Sequence, residues 1–502
     1  MVTTNEVFRK YTDPETFAKI REMGTVSEMW AYCLKEYAGR PAVQDPERVW
    51  TYAETEDRAA AFRTVFKKAG LQKGDRVGLY FPNSLEFVPV YLAALTSGLS
   101  AVILPPQLDE MTVFGCTMKF QLKALIYHPV FEEKTGFART HGSKAIFIPG
   151  VTDETEKTPI SSDVKPSDPA VIMFTGGTTG KSKGALLSND AVMQGTVNGC
   201  YGVKEIFFQR YILTLPLSHV FGLIRNLMTC FYTGSTLFFC LNNKDMFRDI
   251  AVFRPTILVT VPALAEMALT LSKKFGKNML GPDMKVIISG AAAVPPYLIS
   301  EYEKLGITLF PGYGLTESAN LVSGNPENKA HPESVGFLFP NQEVKVVDGE
   351  LWLKGRNIMD CYVGEEESGF EDGWFKTGDL VRFDENGLLY ITGRIKEIIV
   401  LPSGENISPA EVEAKFNELT CVQDSQVFEA LNDAGDHILA LEVVPRMTEL
   451  GGIENVPAFV KEACEKVNAA LPSFMRVSRI TVRDTDFKRT PSMKIERYKT
   501  VQ

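Results

Sequence analysis

The chain has 502 residues, of which 45% are hydrophobic and 23% charged, as is typical of a globular protein with one large and one smaller domain. Its net charge of −9 argues against nucleic acid or an anionic membrane as a main partner. No stretch reaches the roughly 18 uninterrupted apolar residues of a membrane span, and the N-terminus lacks the apolar core of a secretory signal. Eight cysteines without a C-x-x-C pair indicate reduced thiols in a cytoplasmic protein and argue against a structural zinc site.

Up to about residue 336, short apolar runs alternate with amphipathic segments. The runs are interpreted as strands and lie at residues 76–81, 100–104, 123–127, 144–148, 170–174, 256–261 and 285–289. The amphipathic segments are interpreted as helices and include residues 85–98 and 262–276. Apolar strands that alternate with helices predict an α/β fold with mixed, largely parallel sheets.

After residue 336 the pattern changes, because alternating apolar residues are now separated by Asp-Gly and Asn-Gly turns. Such turns predict antiparallel hairpins. Beyond Arg394, a capping box at residues 408–411, with proline at the first helical position, opens a predicted helix. Two strands and a second helix are predicted after it, at residues 425–430, 437–444 and 456–471. We therefore predict a large N-terminal domain, residues 1–393, and a small α+β C-terminal domain, residues 394–502.

A glycine-rich loop, FTGGTTGKSKG at residues 174–184, is the first candidate for a functional site. Its second half matches the Walker A pattern G-x-x-x-x-G-K-[ST], but Thr175 stands where the first glycine belongs. Residues 185–188 read as extended, so no helix N-terminus follows the loop directly to hold phosphate, as one does in a P-loop. The glycines, three threonine hydroxyls and Lys183 still suit an anion. Taken alone, the loop is explained equally well as a flexible surface turn.

Six further motifs follow the loop in order: LPLSHVFG (215–222), ISGAAAVP (288–295), GYGLTES (312–318), WFKTGDL (374–380), GRIKEIIVLPSGENISPAEVE (393–413) and FKRTPSMKIER (487–497). Together with the loop they resemble the adenylate-forming superfamily of acyl-CoA synthetases, carrier-protein adenylation domains and luciferases. The phosphate loop of that family reads T-S-G-T-T-G-x-P-K-G, and this chain has Gly176 for its serine and Ser182 for its proline. The resemblance covers nearly the whole chain. It implies that the large domain contains a small β-barrel-like part and that the small C-terminal domain is mobile.

The resemblance implies an enzyme with two half-reactions. A carboxylate attacks the α-phosphate of ATP, with Mg²⁺ present, to give an acyl-adenylate and pyrophosphate, and the thiol of coenzyme A then displaces AMP. The alternative acceptor is the phosphopantetheine of an acyl carrier protein, because both kinds of enzyme share every motif quoted. Amino-acid-activating members carry an aspartate in the motif at 215–222, and this chain has none there. An uncharged fatty, aryl or alicyclic acid is therefore the expected substrate.

Two other classes of protein compete with this interpretation. A P-loop NTPase would cleave ATP at the γ-phosphate, but the misplaced glycine and the missing helix after the loop argue against it. A nucleotide-binding module without chemistry would require neither Lys494 nor Glu317. The sequence predicts no particular oligomeric state.

The resemblance also assigns residues to the phosphate and nucleotide sites. The β- and γ-phosphates would lie against Thr175, Gly176, Gly177, Thr178, Thr179, Gly180 and Lys183. The rest of the nucleotide would lie against Gly290, Ala291, Ala292, Tyr313, Gly314, Thr316, Asp379 and Arg394. Tyr313 would stack on adenine, Thr316 would reach the α-phosphate and Glu317 would bind Mg²⁺. Asp379 would accept hydrogen bonds from the ribose hydroxyls, with Arg394 nearby.

Residues near the C-terminus would complete the catalytic machinery. The ammonium group of Lys494 would bridge the incoming carboxylate and the α-phosphate, which makes it the main catalytic candidate. Met493 stands where the family has glycine before this lysine. Lys396 matches the hinge about which the small domain turns, and Gly404 would line the tunnel for the thiol.

His219 would gate the acyl pocket, although a single histidine beside apolar residues is most often a satisfied core residue. The pocket candidates are all apolar, namely Val220, Phe221, Gly222, Leu223, Leu321 and Val322. Arg225 lies in the same region and has two interpretations. We rank pairing with an acidic neighbour first and contact with a second polar group on the substrate next.

Overall fold

The computed structural model describes residues 4–175, 183–366, 368–400, 406–432, 435, 437–489 and 495–497. These residues form five sheets, two large and three small. The predicted α/β class is confirmed, because strands and helices alternate up to the middle of the chain and most of the pairs in the two large sheets are parallel.

The larger sheet has nine strands, and its six central strands are parallel. In spatial order the strands are Phe337–Leu338, Ser323–Gly324, Thr308–Tyr313, Val286–Ser289, Ile257–Thr260, Arg210–Leu213, Thr236–Phe239, Pro41–Gln44 and Val49–Thr51. The outer strands at both ends pair antiparallel. The predicted strands at 256–261 and 285–289 lie next to each other in its centre.

The second sheet has seven strands, ordered Cys361–Tyr362, Gly184–Ser188, Pro169–Phe174, Ser100–Leu104, Arg76–Tyr80, Ala124–Tyr127 and Ile146–Pro149. Five of them are parallel; Gly184–Ser188 pairs antiparallel with Pro169–Phe174, and Cys361–Tyr362 pairs antiparallel with Gly184–Ser188. Every residue of Ser100–Leu104 and Ala124–Tyr127 is buried. Helices that cover both faces of a parallel sheet explain such uninterrupted apolar strands.

Helices connect and cover these sheets. The α-helices are Thr4–Arg9, Pro14–Lys19, Val26–Tyr37, Tyr52–Lys68, Phe87–Thr96, Glu110–Lys119, Gly136–Thr140, Asn189–Asn198, Thr229–Tyr232, Met246–Phe253, Pro262–Phe275, Pro296–Lys304, Pro409–Asn417 and Val456–Ala470. Phe87–Thr96 is buried at all ten positions, so it belongs to the core. Its composition is apolar on every side, as a fully buried helix requires.

Residues 342–394 form an antiparallel five-stranded sheet, the half-barrel part of the fold. Its strands are Gln342–Val347, Glu350–Gly355, Phe370–Glu371, Trp374–Phe383 and Leu389–Arg394. The Asp-Gly turn lies between the first two, and the Asn-Gly turn lies between the last two. The hairpins predicted from these turns are confirmed.

The chain beyond residue 394 has a core of its own. A three-stranded sheet, Val422–Leu431, His437–Pro445 and Arg479–Val482, packs with the helices Pro409–Asn417 and Val456–Ala470. Two short strands, Ile399–Val400 and Asn406–Ile407, pair at its start. The buried residues of this cluster all come from residues 407–477, so the segment does not depend on the large sheets for its core. The boundary at residue 394 and the mobility of the segment stay predictions.

The capping box predicted at residues 408–411 is wrong, although the helix begins with Pro409 in its first turn as expected. The side chain of Ser408 forms no cap, because its hydroxyl donates instead to the carbonyl of Thr392 at 2.7 Å. The Ser408 hydroxyl therefore binds a residue that is distant in sequence, Thr392, and not the backbone of its own helix. The hydroxyl ties the start of this helix to the strand Leu389–Arg394.

All eight cysteines are free thiols, and seven of them are buried. Among the described residues, no helix is both long and apolar enough to cross a membrane.

Candidate active site

Three of the predicted site motifs lie where strands of the two large sheets end. The glycine-rich loop follows Pro169–Phe174, Gly290 follows Val286–Ser289, and the GYGLTES motif includes the end of Thr308–Tyr313. The carboxyl ends of parallel strands are the usual place for ligands in open α/β sheets. The sheets therefore bring together motifs that are more than a hundred residues apart in sequence.

The base of the phosphate loop is held by backbone pairing. The amide of Thr175 donates to the carbonyl of Lys183 at 2.9 Å, and Phe174 pairs with Gly184 in the antiparallel ladder. Gly184–Ser188 is extended, and a helix begins only at Asn189, with Ser188 as its cap. The expectation that an extended segment, and no helix, directly follows the loop is confirmed. Five predicted phosphate contacts lie outside the described residues, namely Gly176, Gly177, Thr178, Thr179 and Gly180.

Tyr362 connects the phosphate loop to the GYGLTES motif. The ammonium of Lys183 lies 4.8 Å from the centre of the Tyr362 ring, within the range of a cation–π contact. The hydroxyl of Tyr362 donates to Oε1 of Glu317 at 2.6 Å. The amide of Met359 also donates to the carbonyl of Glu317 at 2.8 Å, which fixes the segment before Tyr362. The side chain of Tyr362 thus contacts both Lys183 and Glu317.

Sequence reasoning missed Tyr362. It belongs to none of the seven motifs, and its strand, Cys361–Tyr362, is only two residues long. The residue reaches the site because this strand pairs with Gly184–Ser188, with Tyr362 opposite Ala185. Only long-range strand pairing identifies it, and the sequence carries no local signal for that pairing.

Asp379 is the buried carboxylate of the site, with 2% of its surface exposed. Oδ1 accepts from Nε of Arg394 and Oδ2 accepts from the hydroxyl of Tyr313, both at 2.5 Å. The strand register explains the first contact, because Asp379 and Arg394 face each other in neighbouring strands. The predicted proximity of Arg394 to Asp379 is confirmed, and Tyr313 is added to the pair.

The carboxylate of Asp379 raises the pKa values of both of its hydrogen-bond donors, Tyr313 and Arg394. Burial and the Asp379 carboxylate raise the pKa of Tyr313 well above its usual value, so the phenol stays protonated and donates. Burial alone would lower the pKa of Arg394, but the Asp379 carboxylate outweighs this and raises it. The carboxylate is therefore fixed in position by one neutral and one charged donor. The stacking of the Tyr313 ring on adenine stays a prediction.

The turn after Tyr313 is unusually tight. Thr316–Ser318 forms a single 3₁₀ turn, in which Thr316 is buried, and the amide of Leu315 donates to the hydroxyl of Ser318 at 3.0 Å. Ala319 and Asn320 follow with φ of 50° and 99°. A Cβ atom on Gly314 would lie 1.4 Å from the carbonyl oxygen of Asn320. Gly314 is therefore required so that the chain can fold back beside Thr316 and Glu317.

Gly314→Ala is expected to destabilise the protein by about 3 kcal/mol, because the methyl group would overlap backbone that cannot move aside. Thermal unfolding with and without ATP would measure the loss of stability and of nucleotide binding together. Gly115→Ala is the matched control, since Gly115 lies in the helix Glu110–Lys119 with open space around its added Cβ. That control should be neutral or slightly stabilising. An unchanged melting temperature for Gly314→Ala would contradict the tight turn.

The small residues of the ISGAAAVP motif also permit close approach. A Cβ atom on Gly290 would lie 3.0 Å from the carbonyl oxygen of Gly312 and 3.6 Å from the ring of Phe221. Ala291 has φ of 65°, a left-handed conformation that is costly for a residue other than glycine. Gly290 is therefore small because the backbone of the neighbouring strand packs closely against it. Contact of Gly290, Ala291 and Ala292 with nucleotide stays a prediction.

His219 lies in the turn that leads into a π-helix, Phe221–Met228. Its Nδ1 accepts from the amide of Phe221 at 3.2 Å, so the neutral ring carries its proton on Nε2. The expected pocket residues beside it are buried, namely Val220, Phe221, Gly222, Leu223, Leu321 and Val322. π-helical turns are rare and occur often at functional sites. The sequence did not predict this helix type.

Arg225 lies in the same π-helix and is 2% exposed. The pairing with an acidic neighbour that we ranked first is wrong, because no carboxylate in the described part of the chain forms an ion pair with it. Its Nη1 atom is buried without a hydrogen-bond partner. The guanidinium group therefore lies beside the predicted acyl pocket without a carboxylate partner in the described part of the chain, and Nη1 forms no hydrogen bond.

The C-terminal candidates are only partly described. Lys494, Met493 and Gly404 lie outside the described residues, but the residues before and after 490–494 pair with one another, Arg489 with Ile495 and Lys488 with Glu496. Arg497 is fixed by two hydrogen bonds to Glu413, at 2.7 and 2.8 Å. Lys396 is exposed in a 3₁₀ turn that directly follows the strand Leu389–Arg394.

Comparison with known proteins identifies the family of the chain. The profile of the family described as AMP-binding enzyme matches residues 30–363. The protein named 4-coumarate–CoA ligase-like 6 from Arabidopsis thaliana is 29% identical over 447 residues, which cover 79% of this chain and 77% of that one. A long-chain-fatty-acid–CoA ligase from Haemophilus influenzae is 26% identical over 464 residues, covering 80% and 82%.

Two solved structures share the fold over nearly the whole chain. The anthranilate CoA ligase AuaEII in complex with anthranoyl-AMP has a TM-score of 0.83 at 20% identity, covering 94% of this chain and 95% of that one. ATP-bound MatB from Rhodopseudomonas palustris has a TM-score of 0.81 at 23% identity, covering 94% and 97%. Since the family profile matches more than half of the chain, this protein belongs to the AMP-binding enzymes, the adenylate-forming superfamily that its motifs resemble.

Proposed function

We propose that this protein is an AMP-forming acid–thiol ligase. It activates a carboxylic acid with ATP, releases pyrophosphate and transfers the acyl group to the thiol of coenzyme A. The observation that carries the proposal is a pair of contact sets. Tyr362 contacts both Lys183 and Glu317. Tyr313, four residues before Glu317 in the same motif, donates a hydrogen bond to Asp379. In this proposal Lys183 is the cation for the phosphates, Glu317 is the oxygen ligand for a metal ion and Asp379 is the carboxylate for ribose.

In the first half-reaction two anions must meet, so positive charge and fixed geometry have to overcome their repulsion. Thr175 and Lys183, at the base of the loop, hold the β- and γ-phosphates together with the loop residues between them. Thr316 reaches the α-phosphate. Lys494 bridges the α-phosphate and the incoming carboxylate.

The carboxylate of Glu317 fits a magnesium ion. The described contacts engage its Oε1 atom, through Tyr362, and leave Oε2 for a cation. Mg²⁺ prefers oxygen ligands and is often bound by one or two carboxylates together with substrate phosphates. When bound, it would neutralise phosphate charge. Tyr362 meanwhile keeps the Glu317 side chain in place.

Asp379 is the ribose acceptor in this proposal. Its two oxygens are already oriented by Tyr313 and Arg394, so little rearrangement is needed when ribose hydroxyls donate to it. Preorganised partners lower the cost of binding. The sugar is then held beside the ring of Tyr313.

In the second half-reaction the segment 394–502 turns about Lys396, so that Gly404 lines the path of the thiol. Such a rotation must break the described contacts between this segment and the large sheets. Nε of Arg446 lies 3.1 Å from Oε1 of Glu266, and its guanidinium lies 3.9 Å from the ring centre of Tyr297. Polar contacts of this kind suit an interface that opens and closes.

The acid is expected to have a fatty, aryl or alicyclic body, because the side chains around His219 are apolar and the motif lacks an aspartate for an amino group. Loading of an acyl carrier protein shares the first half-reaction and differs only in the acceptor. A cytoplasmic location stays a prediction.

Carboxylate-dependent ATP–pyrophosphate exchange over a panel of fatty, aryl and amino acids tests the proposal. Exchange with one class of acid is expected, and addition of coenzyme A should then yield a thioester. A thioester with carrier protein alone would identify a loading enzyme instead. Steady formation of ADP, without exchange for any acid, would contradict acid activation and favour an NTPase.

A further inference from the structure

Arg225 is one of the residues that line a cavity. The cavity has a volume of about 30 Å³, and its lining includes Arg225, Asn198, Asn325, Ile288, Gly312 and Leu321. Ile288 and Gly312 belong to the strands that lead into the ISGAAAVP and GYGLTES motifs. Leu321 is one of the predicted acyl-pocket residues. The cavity is therefore next to the candidate active site and next to the proposed path of the acyl group.

The π-helix Phe221–Met228 begins close to His219 and contains Arg225, which lines the cavity. Phe221, the first residue of the helix, lies beside Gly290. Arg225 follows four residues later, about one turn further along the same helix. Because His219 precedes the helix, it lies at one end of this stretch and Arg225 lies at the other. The apolar side chains of Phe221 and Leu223 lie between them in sequence.

Three of the residues that line this cavity carry a buried polar atom without a hydrogen-bond partner in the described structure. Nη1 of Arg225, Nδ2 of Asn198 and Oδ1 of Asn325 are all buried without a partner. Each of the three residues is at most 2% exposed. Two of the three atoms are donors, and one of these carries positive charge. Buried polar atoms nearly always have partners, so a set of three at one cavity indicates a bound group.

The unpartnered atoms of Arg225 and Asn198 favour an anion, because both are hydrogen-bond donors. A guanidinium keeps its charge in proteins, and a buried charge is costly unless it is paired. Tyr211 lies beside the guanidinium but brings no countercharge, because burial raises the pKa of its phenol and keeps it neutral. A carboxylate accepts hydrogen bonds from guanidinium and amide groups together. A cavity of this volume holds one small polar group, either a carboxylate or water.

We propose that Arg225 and Asn198 bind a second carboxylate, at the far end of the acid that this enzyme activates. The substrate class is then a dicarboxylic acid with an apolar body, whose near carboxylate is activated and whose far carboxylate reaches the guanidinium of Arg225. This inference rests on the proposed function, since it names the acid for that reaction. Arg225 acts as a specificity-determining residue and takes no part in the chemical step.

The test compares acids in matched pairs. Straight-chain monocarboxylates and the corresponding α,ω-dicarboxylates are compared at each chain length from about four to twelve carbons, and benzoate is compared with its ring dicarboxylates. ATP–pyrophosphate exchange gives kcat/KM for each acid, and the ratio of diacid to monoacid is the quantity compared between variants. The wild type should prefer the diacid at its best chain length by about 30-fold, because a buried charge pair forms only with the diacid.

Two substitutions should remove the preference by different means. Arg225→Met deletes the charge with similar side-chain length, and Asn198→Asp adds a carboxylate that competes for the guanidinium. Both should lower the diacid-to-monoacid ratio by about 30-fold. Arg248→Met is the matched control, because Arg248 is a surface residue, paired with Asp249, outside the site. It should leave the ratio unchanged.

A binding measurement separates this inference from the proposed function. Dicarboxylates, without ATP, should raise the melting temperature of the wild type more than matched monocarboxylates do, and Arg225→Met should abolish the difference. Exchange with monoacids alone, with no diacid effect on melting, would overturn the inference and leave the ligase proposal standing. A diacid effect on melting without any exchange would support the inference and overturn the ligase proposal. Equal ratios in wild type and both variants would show that the cavity holds only water.

Discussion

Asp379→Asn is expected to lower kcat/KM for ATP by about 1,000-fold, measured by pyrophosphate exchange at saturating acid. Asp379 is the one site residue whose two carboxylate oxygens both accept described hydrogen bonds, from Tyr313 and Arg394. An asparagine amide would turn a donor towards one of these two donors, and the charge that opposes the Arg394 guanidinium would be lost. The ribose hydroxyls would then meet a displaced and half-blocked acceptor.

Two comparisons show whether the loss is specific to this carboxylate. Asp372→Asn makes the same chemical change at an exposed turn of the same sheet, with φ of 49°, a conformation that asparagine tolerates well. It should leave kcat/KM for ATP unchanged. Tyr313→Phe removes one donor and keeps the carboxylate, so a loss of about tenfold is expected. An unchanged KM for ATP in Asp379→Asn would contradict the ribose assignment.

Much of the α/β part of the fold could be predicted because its strands are buried on both faces. Ser100–Leu104 and Ala124–Tyr127 are apolar without interruption, and strands of this kind stand out from the helices between them. Helix Pro262–Phe275 agreed with its prediction within one residue, since proline at its start and Gly276 after its end mark both boundaries. Local chemistry was sufficient in these cases.

The errors arose where long-range contacts override local patterns. Ser408 has the sequence context of a capping box, yet its hydroxyl binds Thr392 in a neighbouring strand. The π-helix Phe221–Met228 has an apolar pattern that does not distinguish it from an α-helix in the sequence. Tyr362 reaches the site only through a two-residue strand. None of these features follows from residues close by in the chain.

The same distinction between local and long-range information applies to the candidate site. The motifs identified Lys183, Glu317 and Asp379 individually, because each lies at a recognisable position in its own motif. How they connect depends on Tyr362 and on the register that places Arg394 opposite Asp379. Arg225 shows the opposite case, because its residue type favoured an acidic partner and the packing supplies none in the described chain. The motifs predicted one of these contacts, that of Arg394 with Asp379, whereas the contacts of Tyr362 and of Tyr313 follow only from the fold.

Glu317→Gln is expected to lower kcat for pyrophosphate exchange by about 100-fold and to raise the Mg²⁺ concentration needed for half-maximal rate. Glutamine keeps an oxygen that can accept from the Tyr362 hydroxyl, so the fold and the link to Lys183 should survive. Its amide nitrogen is a donor, which cannot bind a cation in place of the second carboxylate oxygen. The loss should therefore appear in the dependence on Mg²⁺, which a purely structural defect would not change.

Glu327→Gln is the matched control, because Glu327 also accepts a hydrogen bond from a tyrosine hydroxyl, that of Tyr11, but belongs to no motif. It should leave the Mg²⁺ dependence as in the wild type. Tyr362→Phe separates the two roles of Glu317, since it removes the hydrogen bond and keeps the carboxylate. If Glu317→Gln lowers the rate only as much as Tyr362→Phe, with an unchanged Mg²⁺ requirement, Glu317 acts by positioning Tyr362 and Lys183. A raised Mg²⁺ requirement in Glu317→Gln alone would identify it as the ligand, because only that substitution removes a charged oxygen from the phosphate end of the site.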